Sequence, residues 1–268
     1  MSRTADFFLQ LHHQAAPLLL PNPWDVGSAR LFASLGFQAL ATTSSGHAAT
    51  LGRLDGRVTR DEAFAHAAEI VAATDLPVNA DFENGFADDP AGVADTIRTA
   101  VEIGLAGCSV EDYSGPDSDS IYELAHAADR VRAAAEAAHA APGGLVLTAR
   151  AENHIHDRPD LDDTITRLQA FQEAGADVLY APGLTDAADI RRVVESVDLP
   201  VNVLALPGTP SVPELAELGV KRVSIGGAFS LVGIGAVETA AREFLADGTY
   251  GYWDEASRAI AARDEAFE

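Results

Sequence analysis

The chain has 268 residues, 47% apolar and 22% charged, a balance that suits a globular protein with a sizeable core. Its formal net charge of −23 works against any role that neutralises nucleic-acid phosphates or sits on an anionic membrane surface. A single cysteine, Cys108, excludes a disulfide framework within the chain and argues against a cysteine-based zinc site.

No apolar run approaches the ~20 residues that span a bilayer. Residues 1–10 lack a basic stretch followed by an apolar one, so a cytoplasmic location is expected. Eight short apolar runs then follow one another, at 18–22, 39–44, 78–83, 107–111, 145–151, 178–181, 201–205 and 222–226. Most are continuous rather than alternating, as parallel strands buried on both faces should be. Amphipathic helical patterns separate them at 60–74, 93–104, 121–141, 162–175, 186–197 and 212–219. The final stretch, 253–267, reads as one more amphipathic helix. Eight strand–helix units without a linker, in a length close to the roughly 250 residues usual for that architecture, predict one domain over 1–268. It is an α/β fold, a (β/α)8 TIM-type barrel with an additional C-terminal helix. No G-x-G-x-x-G follows the first strand, which leaves a doubly wound sheet without support.

In such a barrel the active site lies at the C-terminal ends of the strands, so polar residues there carry the chemistry. The third run ends in Asp81 and Glu83, two residues apart and therefore on one face. The fourth ends in Glu111, and the fifth carries Arg150 and Glu152. Asp81, Glu83 and Glu111 on adjacent strands repel one another unless a cation lies between them. All-oxygen donors suit magnesium, with manganese as the second choice. Arg150 is a candidate bidentate clamp for a substrate carboxylate. The alternative is a structural partner for Glu152 or Glu83. The stretch Ser44-Ser45-Gly46-His47 offers hydroxyls and backbone N–H groups to an anion, and Asn202 sits on the seventh strand. His154 and His156 lack a third nitrogen or sulfur ligand, which argues against zinc. His12 and His13 are expected in solvent. By alternation Cys108 faces away from Glu111, toward the helices.

Six segments in order, "LPNPWDVGSARL", "ATTSSGHAATLGRLDG", "PVNADFENGF", "GCSVEDYSG", "LTARAEN" and "RVSIGG", resemble the isocitrate lyase/phosphoenolpyruvate mutase superfamily from about residue 19 to 227. The resemblance implies a magnesium ion held by Asp81 and Glu111, with Asp55 and Glu83 contributing through water. It implies substrate-carboxylate binding by Ser45, Gly46, His47 and Arg150, and reactions that make or break C–C or P–C bonds through an enolate. It also implies a homo-oligomer, dimer or tetramer, that exchanges a C-terminal helix. For this role the apolar stripe Ala256, Ile260, Ala261 and Phe267 is the candidate, with packing on its own barrel as the alternative.

Two departures stand out. Glu83 occupies a position where many members have aspartate. Residues 113–120 lack the cysteine, lysine and histidine of the lyase gating loop, and the mutase-type asparagine as well. The expectation is therefore a magnesium-dependent carbon–carbon lyase for a small 2-oxo or 2-hydroxy carboxylate, close to an oxaloacetate decarboxylase. Arg150, His47 and Glu111 are its expected catalytic groups. Ser44, Ser45, Gly46, His47, Arg150 and Asn202 are its expected substrate contacts. Water, His47 or Tyr180 would supply the enolate's proton. A hydrolase, a phosphonate P–C enzyme of the same superfamily and a non-catalytic dicarboxylate-binding barrel remain open at this point.

Overall fold

Eight short parallel strands wrap around one axis in the computed structural model, which describes residues 4–268. They are β1 (Leu18–Leu20), β2 (Leu40–Ala41), β3 (Val78–Asp81), β4 (Gly107–Glu111), β5 (Val146–Arg150), β6 (Val178–Tyr180), β7 (Val201–Leu204) and β8 (Arg222–Ser224). Their hydrogen-bonded order is β1-β8-β7-β6-β5-β4-β3-β2. Between β1 and β2 the closure is thin. Ala41 N–H donates to Pro21 O at 3.0 Å. The Asn22 amide supplements this bond: its Nδ2 donates to Thr42 O at 2.9 Å, and its Oδ1 accepts from the Ile225 and Gly226 amides at 3.1 and 3.0 Å. One side chain thus ties the ends of β1, β2 and β8 together.

The helices are α1 (Ala5–Leu11), α2 (Val26–Ser34), α3 (Ser44–Thr50), α4 (Arg60–Ala73), α5 (Pro90–Ile103), α6 (Leu124–Ala140), α7 (Leu161–Glu173), α8 (Ala187–Glu195), α9 (Val212–Glu217), α10 (Ala228–Asp247) and α11 (Trp253–Phe267). Every predicted strand and helix has its counterpart, usually shorter by a few residues. The second strand is the clearest difference. It stops at Ala41, and Thr43 caps α3 through its Oγ1, which accepts from Gly46 N at 3.3 Å. Ser44 therefore begins a helix instead of ending a strand. Helices α1, α2, α3 and α10 have no counterpart in the sequence pattern.

Alternation along the strands sorts the core. Leu40, Ala80, Cys108, Leu147, Leu179 and Val203 face outward and pack with Ile70, Ile97 and Phe171 of the surrounding helices. The Cys108 thiol is buried on that outer side, as expected. Inside, α1 plugs the N-terminal end of the barrel, where Phe8 and Leu11 meet Leu18, Leu20, Ala41, Val146 and Val178. Burying a side chain such as Phe8 contributes about 1.5–3 kcal/mol. His12 is buried with them, contrary to the expected exposure, because the turn after α1 tucks its ring against Phe8. Helix α11 packs on α2, yet apolar side chains stay exposed on both α10 and α11, Ile260 and Phe267 of the latter among them. Among the described residues, no helix is long and apolar enough to cross a membrane.

Candidate active site

Asp81, Glu111 and Arg150 are the last residues of β3, β4 and β5, so the parallel register brings all three to one mouth of the barrel. The Arg150 guanidinium is the hub. Its Nη1 lies 2.9 Å from Asp81 Oδ1, its Nη2 3.1 Å from Glu111 Oε2 and its Nε 2.7 Å from Glu152 Oε1. The Tyr180 ring lies beside it, 5.1 Å from ring centre to guanidinium carbon. Burial alone would lower the Arg150 pKa, but Glu152, Glu111 and Asp81 outweigh it and hold the guanidinium protonated well above its usual range.

One cation does not balance this much acid. Burial pushes Glu83 up to about 8, with Asp81 and Asp55 adding to the shift against Arg150. Burial also raises Glu111 well above the carboxylate range; Arg150 pulls it down, while Glu152, Asp81 and Glu83 raise it further. Asp55, at the rim, is raised by desolvation and by Asp81, and its carboxylate accepts from the Ser44 side chain. Glu83 itself has a left-handed backbone, φ 47°, uncommon outside glycine and asparagine.

Two connected cavities, of about 190 and 250 Å³, share Ser44, Asp55, Arg150 and Ile155. The first runs down the barrel axis past Ser45, Asp81, Ser109, Tyr180, Asn202 and Arg222. The second opens sideways past Glu83, Glu111, Tyr113 and His156. Of the residues expected at the site, Ser44, Ser45, Asp55, Asp81, Glu83, Glu111, Arg150 and Asn202 are brought together. Gly46 and His47 are not. Gly46 is buried beneath α3, where a Cβ would come within 2.5 Å of Thr43 Cγ2 and 3.0 Å of Trp24 Cβ, so its smallness lets α3 dock. His47 points the other way. Its ring stacks on His66 at 3.9 Å, in a separate surface cleft with Trp24, Glu62 and Glu69. The Ser-Ser-Gly-His stretch is helical, and His47 follows the cavity-lining Ser45 by two positions, about 200° round the helix, which turns it to the opposite face.

His154 and His156 hold no metal arrangement: among the described residues no three His, Cys, Asp or Glu side chains are poised around a common point. That includes the carboxylates, between which Arg150 now sits. His156 stacks on Tyr113 at 3.6 Å. Tyr113 opens the strand-four loop, which is a small hairpin. Tyr113 bridges Ile121, and Ser114 N–H donates to Ser120 O at 2.8 Å. The hairpin is docked over the site by Arg57 Nη1 to Asp117 Oδ1 at 2.8 Å, and by Pro116 lying against Gly56.

The expected site left out Asn22, although it ends the first apolar run at the same mouth, and it left out Ser109, Arg222, Ser224 and Tyr113, all of which line the cavities. Parity along the strands was the available signal: Ser109 precedes Glu111 by two, and Arg222 precedes Ser224 by two.

Residues 8–245 match the family model described as phosphoenolpyruvate phosphomutase. Oxaloacetate decarboxylase of Pseudomonas aeruginosa (strain LESB58) is 30% identical over 235 residues, covering 82% of this chain and 78% of its own. 2-Methylisocitrate lyase of Escherichia coli (strain K12) is 29% identical over 204 residues, covering 72% of this chain and 68% of its own. A solved structure from Burkholderia cenocepacia J2315, of a protein whose lyase/mutase activity is itself an inference, superposes with a TM-score of 0.91 at 50% identity. That superposition covers 94% of this chain and 91% of the other.

Proposed function

Because this chain belongs to the phosphoenolpyruvate phosphomutase family, we propose that it is a divalent-metal-dependent lyase that decarboxylates oxaloacetate or a close 2-oxo acid. It is a lyase of the isocitrate lyase/phosphoenolpyruvate mutase superfamily, and the bond it cleaves is the proposal. The carrying observation is the surplus of acid at the barrel mouth: Asp81, Glu111 and Glu152 share one guanidinium, and Asp55 and Glu83 line the same cavity.

The all-oxygen set Asp55, Asp81, Glu83 and Glu111 fits magnesium, or manganese, better than a softer ion. Bound there, the ion would supply Lewis-acid polarisation of the substrate's keto oxygen. Arg150 exchanges one of its three carboxylates for that of the substrate, and Ser44 and Ser45 orient it through their hydroxyls. The C3–C4 bond then breaks, its electron pair passes into the enolate, and carbon dioxide leaves. The enolate carbon takes up one proton. His47 is turned out of the cavity, which leaves water or Tyr180. Tyr180, pushed up to about 12 chiefly by burial, keeps its hydroxyl proton at neutral pH. Carbon dioxide leaves without a proton, so this reaction does not need the acid that residues 113–120 lack.

The same reading includes a homo-oligomer. Leu231, Val232, Ile234, Val237, Phe244 and Leu245 of α10 are all exposed, as is Leu19 on β1. A patch of this kind marks an interface, and its occupant is a second copy, with the exposed Ile260 and Phe267 of α11 part of the same reading.

The test follows oxaloacetate loss and pyruvate formation with magnesium and with excess chelator, against the protein-free metal background. Isocitrate and 2-methylisocitrate are run on the same preparation. Expected are magnesium-dependent pyruvate and no glyoxylate. Full activity in chelator would sink the metal site, and efficient glyoxylate release would replace decarboxylation with retro-aldol cleavage.

A further inference from the structure

Two guanidinium groups line the axial cavity, and their surroundings differ sharply. Arg150 is matched by three carboxylates at its mouth. Arg222, on β8 beneath it, has no acidic partner among the described residues. Its side chain is fully enclosed in the barrel, 2% exposed. It crosses the barrel interior from β8 to β5, where Nη1 donates to Thr148 Oγ1 at 3.1 Å. Its second partner is His12, with Nη1 3.4 Å from Nε2. His12 Nδ1 lies 2.9 Å from Phe8 O, which places its proton on Nδ1 and leaves Nε2 as an acceptor. The ring is therefore neutral and offers no counter-charge.

The same floor has further unpartnered polar atoms. Arg222 Nε, Asn79 Oδ1 and Asn202 Oδ1 are buried without hydrogen-bond partners, and all three residues line the cavity. Asn202 Nδ2 donates to Ser224 Oγ at 3.0 Å, which fixes that amide beside the Arg222 strand. Burying a guanidinium without an anion costs several kcal/mol, and in a chain of net charge −23 no acid among the described residues pairs with it to offset this. The carboxylate-rich mouth and the acid-free floor thus form one cavity with opposite ends.

We propose that Arg222 anchors a second carboxylate of the ligand, so that the site selects dicarboxylates over monocarboxylates of the same head group. The inference rests on the lyase reading for what occupies the mouth, and adds what occupies the floor. The cavity of about 190 Å³ is smaller than the roughly 300–1,000 Å³ of sites for drug-sized ligands, which suits a short diacid. A planar fork with an unpartnered Nε offers the paired N–H geometry that carboxylates prefer.

The experiment is calorimetry on the full chain loaded with magnesium, using L-malate and L-lactate. These 2-hydroxy acids differ by one carboxylate and do not decarboxylate. The wild-type protein is expected to prefer malate by about 10- to 100-fold, the range of a charge-assisted hydrogen-bonded pair. Arg222→Met should bring that preference to within about twofold while lactate binding stays near wild type, because the mouth is untouched. If Arg222→Met does not fold, Arg222→Lys decides: a shorter cation without the fork should cut the preference at least about threefold. A malate preference that survives these variants, or is absent from the wild type, overturns the proposal. Oxaloacetate turnover separates the two readings. An Arg222-dependent malate preference without any turnover refutes the decarboxylase and leaves the anchor standing. Equal kcat/KM for oxaloacetate in wild type and Arg222→Met refutes the anchor and leaves the decarboxylase standing.

Discussion

Asp81 and Glu111 each hold one arm of Arg150, and each is also a proposed metal donor, so their loss should be felt in catalysis before stability. Asp81→Ala and Glu111→Ala are expected to lower magnesium-dependent turnover by at least about 100-fold, with a native circular dichroism spectrum. A reduction of less than about tenfold in both would remove them from the metal site. His12 carries a pH prediction. Its pKa is lowered to about 3, by burial first and Arg222 second, against 6.5 when unfolded. Between those values the unfolded chain binds a proton that the folded chain refuses. The stability associated with neutral His12 is therefore full above pH 6.5 and is lost as pH falls toward about 3, at up to about 1.4 kcal/mol per unit. Urea unfolding at pH 7.5 and 5.5 should show His12→Gln losing about 1 kcal/mol less than wild type over that interval. The comparison with wild type is needed because carboxylates with raised pKa values, such as Glu83, change stability in the opposite direction over part of the same range. Equal losses would show that the ring protonates freely.

Among the elements, the docked hairpin after β4 depends on Gly56. That residue has φ +70°, and a Cβ there would stand 2.8 Å from Pro116 Cδ. Gly56→Ala is expected to cost about 1–3 kcal/mol in chemical denaturation and to raise KM as the hairpin lifts from the site. An unchanged midpoint and KM would show that the hairpin does not depend on this contact. The strands were legible because residues buried on both faces leave continuous apolar runs, and the acids at their ends were legible because parallel register sends them to one mouth. Helix α3 was not: Ser44-Ser45-Gly46-His47 has low intrinsic helix propensity, and it is helical through the Thr43 cap and the close fit of Gly46 under Trp24. That same turn carried His47 out of the cavity. Helix α10 escaped notice because its first part, from Ala228 to Val237, is apolar nearly all round and shows no 3.6-residue contrast. Arg222 escaped because an arginine opening an apolar run reads as a strand edge facing solvent. Parity with Ser224 turns it inward, and the plug formed by α1, itself unanticipated, closes the floor around it.

At the level of the whole molecule, the exposed apolar side of α10 predicts an assembly. Sedimentation at micromolar concentration should give a mass that is a multiple of 28.0 kDa. Leu231→Glu combined with Val237→Glu should shift it toward the monomer by placing charge on that face. A wild-type protein that sediments as a monomer would refute the interface. The seam between β1 and β2 has a different consequence. Ladders elsewhere around the barrel bind neighbouring strands through several residues, but here one backbone bond and the Asn22 amide do so. The barrel should breathe first at that gap, and deuterium should reach the Ala41 amide sooner than the amides within β4 and β5. The axial cavity has Asn22 on one wall and Arg150 on another. A bound diacid would act as a clasp across the gap, making occupancy readable as slowed exchange at Ala41.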